Sequence, residues 1–253
     1  MNLNITKLSY SSVALWNYCP RAWLLKYHFG FTTPSSLAQS FGTAMHRSIQ
    51  KSLVDKVSLI SLSKTFHKEI FKAIAENKVS YKINDIKNAI TLGENILKSP
   101  MIGEIFKTIN VKAGAQIEHK FEFRVPKVRV PVIGFIDIID DNGIPYDIKT
   151  SKWLWSFQKA MEETQPDFYL TALEYEGIPS PNNEFIYAIV MKTEEPSAYL
   201  IETKRENYKK RTHELVQNMW KGVEEKAWEH TIENKNCENC GLRKQCEMLK
   251  FKI

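Results

Sequence analysis

The chain has 253 residues, of which 43% are hydrophobic and 25% are charged, a balance typical of a folded protein. This composition excludes an intrinsically disordered or fibrous protein, and the length allows one elaborated domain or two small ones. The formal net charge of +6 favours a polyanionic partner, because lysine and arginine side chains that reach phosphates release counterions.

The sequence contains no apolar run near the roughly 20 residues that a membrane-spanning helix needs. Its first residues lack the apolar core of a signal peptide, and the phosphate-binding loop motif of nucleotide-driven motors is absent. We therefore expect a cytoplasmic protein that has no membrane partner and no motor activity of its own.

The first 110 residues are predicted to be mainly helical. Ser11 and Ser12 offer a cap to the first helical segment, Pro20 suits the first turn of a second helix within it, and Gly30 ends it. Pro100 ends the last of these helices. Apolar residues recur at helical spacing over residues 10–29, 41–56, 64–77 and 84–98.

The middle of the chain is predicted to form a sheet of about five strands. A β-hairpin is indicated by the apolar run at 130–139, the tight-turn signal at 140–143 and the returning strand at 144–149. Pro166 and Gly177 mark the two ends of a later helix. The expected strands cover residues 116–124, 130–139, 144–149, 185–191 and 198–203, and the helix covers 166–176. A long charged helix at 205–230 should bury a stripe made of Leu215, Met219, Val223 and Trp228.

The hairpin carries residues that suit phosphodiester hydrolysis. Asp137 precedes the turn, and Asp147 and Lys149 share one face of the returning strand because they are two residues apart. Two carboxylates suit magnesium or manganese, and a lysine can orient a nucleophile or stabilise charge that develops on phosphate. The alternative is purely structural, because acidic residues are common beside turns and lysines protect strand edges from aggregation.

Other polar residues fit the same chemistry less specifically. His46 follows Gly42 at the start of a helical stretch and suits the metal shell as a neutral imidazole, although a helix histidine is more often structural. Gln165 and Tyr169 lie four residues apart, so both side chains can face one substrate groove. There the amide can hold a base or phosphate, and the phenol can stack on a base or bond a phosphate oxygen, but the same pair also suits an ordinary helix surface.

The four cysteines predict a second metal site. Cys237, Cys240 and Cys246 form a C-x2-C-x5-C cluster, and Cys19 is the one cysteine left to complete a four-thiolate set. Such a site would link the two ends of the chain. In a reducing compartment, cysteines that hold a metal or remain free are favoured over structural disulfides, but the spacing alone does not decide between an iron–sulfur cluster and zinc.

Taken together, these motifs resemble the RecB-like branch of the PD-(D/E)XK nuclease superfamily, in particular its iron–sulfur members. Those members include the AddB nuclease domain and the CRISPR-associated stand-alone exonucleases. Residues 50–112 carry no motif of the family. The matching segments are Ser12 with Tyr18-Cys19-Pro20-Arg21, Gly42 to His46, Gly134 to Asp137, Asp147 to Thr150, Gln165 to Tyr169, and the three C-terminal cysteines.

The resemblance implies an α/β, restriction-endonuclease-like fold. Its mixed central sheet is flanked by helices, with an N-terminal helical portion and a C-terminal cysteine cluster. We expect a single nuclease domain over 1–253, with a mainly helical part at 1–110 that carries Cys19 and His46. The catalytic sheet core would cover 111–204, and the last helix with the iron–sulfur cysteines would cover 205–253.

The resemblance also implies roles for individual residues. The divalent ion would be held by His46, Asp137, Asp147 and the carbonyl of Ile148, with Lys149 as the catalytic lysine. Gln165 and Tyr169 would lie beside the DNA. A [4Fe-4S] cluster would be bound by Cys19, Cys237, Cys240 and Cys246.

Three positions near the implied site depart from the family pattern or stay undecided. Ile148 stands where an aromatic residue often precedes the lysine, and Ser151 where glycine is frequent, but neither change removes a ligand. Glu118 lies on the strand before the hairpin, where it either approaches the site or belongs to a solvated strand face.

The implied function is a magnesium- or manganese-dependent DNA exonuclease that acts on single strands or duplex ends. DNA repair, recombination and CRISPR-type DNA processing are all compatible with it, and any unwinding would need a helicase or another DNA-processing partner. The alternatives are a structure-specific endonuclease of the same family and a non-catalytic iron–sulfur subunit that binds DNA. The joint presence of histidine, two aspartates and a lysine argues against the non-catalytic alternative.

Overall fold

The structure is a computed structural model that describes residues 5–33, 35–111, 117–230, 237–238 and 240–249. It divides into two compact units, each assembled from segments that are distant in sequence. The described residues of 1–34, 120–134 and 207–253 form the first unit, and those of 35–119 and 135–206 form the second. The single domain with three consecutive parts stays a prediction.

Helices dominate both units. None of the described helices is both long and apolar enough to cross a membrane. In chain order they are α1 (Tyr10–Tyr18), α2 (Pro20–Tyr27), α3 (Leu37–Asp55), α4 (Leu59–Ser63), α5 (Phe66–Asn77), α6 (Ile83–Lys98), α7 (Pro100–Lys107), α8 (Phe157–Glu162), α9 (Gln165–Tyr175), α10 (Tyr208–Glu224) and α11 (Arg243–Leu249).

The five strands form one mixed sheet in which spatial order follows chain order. They are β1 (Ile117–Phe123), β2 (Val132–Ile139), β3 (Pro145–Ser151), β4 (Glu184–Met191) and β5 (Ala198–Lys204). β2 and β3 pair antiparallel, as do β4 and β5, whereas β3 and β4 run parallel. A parallel pair needs a crossover connection, and the segment with α8 and α9 supplies it. The predicted α/β fold with a mixed sheet is confirmed.

The core of the second unit joins the helices before the sheet to one face of β3 and β4. Ile148 on β3 is fully buried there together with Ala188 and Val190 of β4. The helices pack closely, since a Cβ on Gly93 of α6 would lie only 1.9 Å from the ring of Phe66. Apolar burial on this scale, at about 25 cal/mol per Å², is the main force that holds the sheet against its helices.

Local signals explain how the first unit begins. The hydroxyl of Ser9 accepts a hydrogen bond from the backbone N–H of Ser12, and the hydroxyl of Ser12 accepts one from the backbone N–H of Ser9. The two bonds form a capping box for α1. The cap is therefore Ser9 and not the predicted Ser11-Ser12. Pro20 opens α2 as predicted, and Nε of Arg21 donates to the carbonyl oxygen of Trp228 at 2.9 Å.

One predicted helix end is confirmed and another is wrong. α6 ends at Lys98, before Pro100, as predicted, and Pro100 is also the first residue of α7. The helix expected over 205–230 stops at Glu224, since Lys226 adopts a left-handed φ of 54° and a short 3-10 helix, Ala227–His230, follows. In the predicted stripe Leu215 is only half-buried, and Val216 takes its place in the core.

Candidate active site

The β2–β3 hairpin is fixed by a turn that its own side chains stabilise. Oδ1 of Asp140 accepts hydrogen bonds from the backbone N–H groups of Asn142 at 2.9 Å and Ile144 at 2.8 Å. Gly143 supplies the positive φ of 81° that the tight turn requires. The turn sets the register in which Ile138 faces Tyr146, and this register brings Asp137 beside β3.

Asp137, His46 and the backbone of Ile148 converge at one point. Oδ2 of Asp137 accepts a hydrogen bond from the N–H of Ile148 at 2.9 Å. Nδ1 of His46 lies 3.5 Å from the same carboxylate oxygen, and its Nε2 contacts the carbonyl oxygen of Ile148. Three of the four predicted metal ligands are therefore neighbours.

His46 reaches this point because α3 packs tightly onto β3. A Cβ on Gly42 would lie 3.3 Å from Oγ1 of Thr150, which is tighter than ordinary van der Waals contact. Gly42 therefore permits the close approach of helix and strand, and His46 lies one helical turn further along the same side. The Gly42–His46 segment therefore lies against the hairpin, and His46 reaches the hairpin carboxylates.

Asp147, Lys149 and Gln165 form a second, connected group. The amide nitrogen of Gln165 donates to Oδ1 of Asp147 at 2.7 Å, and its amide oxygen accepts from Nζ of Lys149 at 2.9 Å. Nζ of Lys149 also lies 2.6 Å from Oδ2 of Asp147, so the two side chains form an ion pair. Gln165 thus ties the second carboxylate to the lysine.

Tyr169 completes the group from α9. Its hydroxyl oxygen accepts a hydrogen bond from Nε2 of Gln165 at 2.7 Å. Burial, followed by the charge of Asp147, raises the pKa of Tyr169 well above its usual value, so the phenol stays neutral. The residue is only 6% exposed and its ring packs against Phe185, so the ring is not presented to a DNA base. The structure contradicts the base-stacking interpretation of Tyr169.

The Asp137 carboxylate sits in a place that disfavours its charge. Burial, and next the neighbouring charge of Asp147, raise the pKa of Asp137 from 3.8 to about 6, although His46 and Lys149 oppose this shift. Asp147 is 2% exposed, and its Oδ2 lies beside the ammonium of Lys149. The raised pKa of Asp137 indicates that a further positive charge beside this carboxylate would be favourable.

The oxygen and nitrogen atoms of this site are of the kinds that bind a divalent cation. Carboxylate and carbonyl oxygens suit magnesium, and an added imidazole suits manganese as well. In the described chain no three His, Cys, Asp or Glu side chains are grouped as a ready ion cage. The side chains are not grouped in this way because they contact other residues of the site. His46 contacts the carbonyl oxygen of Ile148, and Asp147 contacts Lys149 and Gln165.

A buried ion pair that no sequence pattern marks positions α9. Nε of Arg205 donates to Oδ1 of Asp167 at 3.0 Å, and both side chains are at most 3% exposed. The same guanidinium donates to the carbonyl oxygens of Met161 and Glu163 at 2.7 and 2.5 Å. Asp167 lies two residues after Gln165, so the pair fixes the helix start that holds the site. No periodicity or motif marks Arg205, which follows β5 in a polar segment.

Glu118 belongs to a solvated strand face. It is exposed together with every second residue that follows it, Lys120, Glu122 and Arg124. Its carboxylate accepts a hydrogen bond at 2.6 Å from Gln50, which lies one turn after His46 on α3. Glu118 therefore contacts the helix that carries His46 without joining the carboxylates of the hairpin.

All four cysteines lie in the first unit. Cys19, Cys240 and Cys246 pack against one small apolar cluster made of Ala22, Leu25 and Leu242. The N–H of Cys240 donates to the carbonyl oxygen of Cys237 at 3.3 Å, which places the fourth cysteine in the adjoining turn. All four side chains are partly buried. Residues 231–236 and Asn239, next to this turn, lie outside the described residues.

Comparison with protein families gives one match. A family model for the PD-(D/E)XK nuclease superfamily matches residues 7–247, which is nearly the whole chain.

The chain belongs to the PD-(D/E)XK nuclease superfamily. This membership identifies it as a nuclease, and nucleases of this superfamily use divalent metal ions. Asp147-Ile148-Lys149 has the D-x-K pattern for which the superfamily is named. None of the curated proteins matches the sequence.

One solved structure has a similar overall fold. A crystal structure of a provisionally assigned exonuclease from Eubacterium rectale is 14% identical, with a TM-score of 0.58. The alignment covers 94% of this chain and 87% of that one. At this identity the similarity shows the fold alone. The crystal structure of SSO0001, also 14% identical, aligns over 79% of this chain and 81% of that chain with a TM-score of only 0.31.

Proposed function

We propose that this protein is a divalent-metal-dependent DNA exonuclease that acts on single strands or duplex ends. One observation carries the proposal, namely the convergence of Asp137, Asp147 and Lys149 on one buried hairpin with His46 against it. The exonuclease assignment of the Eubacterium rectale structure and the resemblance to RecB-like nucleases support the choice of exonuclease over endonuclease.

The proposed ligands of the ion are His46, Asp137, Asp147 and the carbonyl oxygen of Ile148. The ion would lower the pKa of a water molecule and offset negative charge on the scissile phosphate. Asp137 gains from this ion, because burial and the charge of Asp147 raise the pKa of its carboxyl.

Lys149 is the proposed catalytic lysine. Its ammonium carries a positive charge at the edge of the site, where it can orient the attacking water or stabilise charge on the phosphate oxygens. Gln165 accepts from Nζ of Lys149 and donates to Asp147, so it fixes the distance between lysine and carboxylate. Tyr169, neutral and buried, holds the other side of the Gln165 amide. Gln165 and Tyr169 are thus proposed as positioning residues.

A [4Fe-4S] cluster held by Cys19, Cys237, Cys240 and Cys246 is the second part of the proposal. Three of these thiols share one apolar cluster and the fourth lies in the adjoining turn, which supports a common ligand. Such a cluster would join the N-terminal and C-terminal segments of the first unit. Its presence would support the iron–sulfur, RecB-like branch, with DNA repair, recombination or CRISPR-type processing as the setting and a helicase as a possible partner.

Cleavage of matched linear and circular single strands tests the exonuclease proposal. With magnesium or manganese, the protein should degrade a linear strand and leave a covalently closed circle of the same sequence intact. A circle that is cut as fast as the linear strand would instead identify an endonuclease. An end label on the linear strand, at the 5′ end in one sample and the 3′ end in another, gives the polarity.

A further inference from the structure

The loop between β3 and α8, residues 152–156, presents apolar side chains to solvent. Trp153 is 80% exposed and Leu154 is 78% exposed, the two highest values among large hydrophobic side chains in the described residues. Phe157, the first residue of α8, is 62% exposed. One exposed apolar residue needs no explanation, but three within five positions form a patch that suits a binding partner.

The loop is held in place at both ends. Oγ of Ser151 accepts from the N–H of Trp153 at 3.0 Å and donates to the carbonyl oxygen of the same residue at 2.6 Å. The N–H of Trp155 donates to the hydroxyl of Tyr199 at 2.7 Å, and the Trp155 ring packs on Tyr187. Because the backbone is already fixed, a ligand that covers Trp153 has little loop entropy to overcome.

The loop starts within reach of the proposed active site. Lys149 and Ser151 lie on β3, and Trp153 follows two residues after the strand ends. Four residues of extended chain span at most about 14 Å. Stacked nucleotides are about 3.4 Å apart along one strand, so Trp153 lies within about four nucleotides of a phosphate held at Lys149.

The charge around the loop suits a polyanion. Residues 148–161 contain Lys149, Lys152 and Lys159 and no acidic residue. Lys192 joins them, because its N–H donates to the carbonyl oxygen of Ser151 at 2.7 Å. Within the described part of the chain, Lys152, Lys159 and Lys192 form no ion pair with an acidic side chain, and Lys159 instead lies 4.1 Å from the centre of the Trp155 ring.

Exposed aromatic faces beside lysines that form no ion pair favour a single strand of nucleic acid over a duplex. Bases in a duplex hide their faces in the stack, whereas an unpaired strand offers them to aromatic side chains, at about 1 to 3 kcal/mol per stacked base. Lysines supply the backbone contacts that such a strand also needs.

We infer that Trp153, with Leu154 and Phe157 beside it, is a stacking platform for the bases of single-stranded DNA next to the active site. The inference rests on the proposed function, because it assigns the substrate strand of that same site. On this inference the strand passes the lysines of the loop beside the catalytic hairpin.

Binding without cleavage tests the platform. In a Lys149→Ala background with magnesium, the dissociation constant for a labelled single-stranded oligonucleotide is measured before and after Trp153→Ala. The substitution should weaken binding about tenfold or more, and Trp153→Phe should restore most of it. The control is Ile83→Ala, which removes an apolar side chain that is 63% exposed on α6 and should change nothing. Equal melting temperatures would show that all variants fold.

A series of oligonucleotides with one abasic position identifies the contact as stacking. One or two abasic positions should weaken binding by the parent, and the same positions should make no difference to the Trp153→Ala protein. The inference is overturned if Trp153→Ala binds as tightly as the parent, if the abasic penalty is the same in both, or if the parent does not bind single strands. The first of these outcomes would favour a protein partner for the patch.

The two proposals fail separately. If the protein with Lys149 intact degrades single strands and Trp153→Ala does so with the same KM, the platform is wrong and the exonuclease stands. If no variant cleaves DNA but the abasic effect depends on Trp153, the platform stands as a binding site and the exonuclease is wrong.

Discussion

The amide oxygen of Gln165 accepts a hydrogen bond from Nζ of Lys149 at 2.9 Å, across a separation of 16 residues in the chain. The same amide donates through its nitrogen to Asp147 and Tyr169, so a single side chain is bonded to three members of the site. Rotation of Gln165 would therefore release the lysine and the carboxylate together.

Loss of this amide should slow catalysis more than it weakens substrate binding. We expect Gln165→Ala to lower kcat about 10- to 100-fold with little change in KM, because the lysine and Asp147 lose their mutual alignment. Steady-state cleavage of single-stranded DNA measures both constants. Asn84→Ala, which removes an exposed amide on α6, is the control and should behave like the wild type. A rise in KM alone would mean that Gln165 contacts the DNA.

The charge of the buried Asp137 carboxylate should lower the free energy of unfolding of the metal-free protein. Asp137→Asn keeps an acceptor for the N–H of Ile148 but removes a charge that burial and Asp147 disfavour. In chelator at neutral pH, we expect the free energy of unfolding to rise by about 1 to 3 kcal/mol. Urea denaturation measures it, with Asp55→Asn on the exposed end of α3 as a control that should be neutral.

The sign of this effect sets its pH dependence. The pKa of Asp137 is 3.8 in its ordinary state and about 6 in the folded protein, so ionisation opposes folding. The advantage of Asp137→Asn should be absent below pH 3.8, grow as the pH rises, and be complete above pH 6. An advantage that grows toward low pH would contradict this account.

Breaking the buried ion pair at α9 should be costly. Arg205→Ala would remove the guanidinium that pairs with the buried Asp167 carboxylate, and we expect a loss of about 3 to 5 kcal/mol in the free energy of unfolding. The control is Lys204→Ala, which breaks a pair whose lysine is 68% exposed and should cost less than about 1 kcal/mol. Similar unfolding midpoints for the two variants would contradict the positioning role of Arg205.

The cysteine proposal predicts the metal content of the purified protein. Protein prepared without oxygen should be brown and contain iron and acid-labile sulfide, and Cys246→Ser should lower both. Stoichiometric zinc without sulfide would identify the alternative four-thiolate site. We also expect Cys19→Ser to lower the melting temperature more than loss of a half-buried thiol explains, because the ligand links α2 to the C-terminal cysteines.

The sheet and the hairpin site were accessible from the sequence because local rules fix them. The turn signal at residues 140–143 sets the register, and the two-residue period puts Asp147 and Lys149 on one face. Motif order then linked His46 and Gln165 to the hairpin, and the structure brings all of them together. Their roles in catalysis stay predictions.

Other features depend on contacts that sequence patterns do not carry. The end of α10 is set by a left-handed residue at Lys226, and lysine gives no local signal for that conformation. Arg205 reaches its partner Asp167 across 38 positions, and the burial of Tyr169 follows from packing against Phe185 on β4. These are tertiary relationships, so helical spacing alone misassigned the exposure of the Tyr169 ring.

Metal-dependent cleavage tests the central claim most directly. End-labelled single-stranded DNA is incubated with magnesium, manganese or chelator and with wild type, Lys149→Ala, or Lys107→Ala as a control lysine that is 70% exposed on α7. We predict that wild type and Lys107→Ala degrade the strand only with metal, and that Lys149→Ala is slower by about 100-fold or more. Cleavage by Lys149→Ala at the wild-type rate, or by wild type in chelator, would contradict the proposed site.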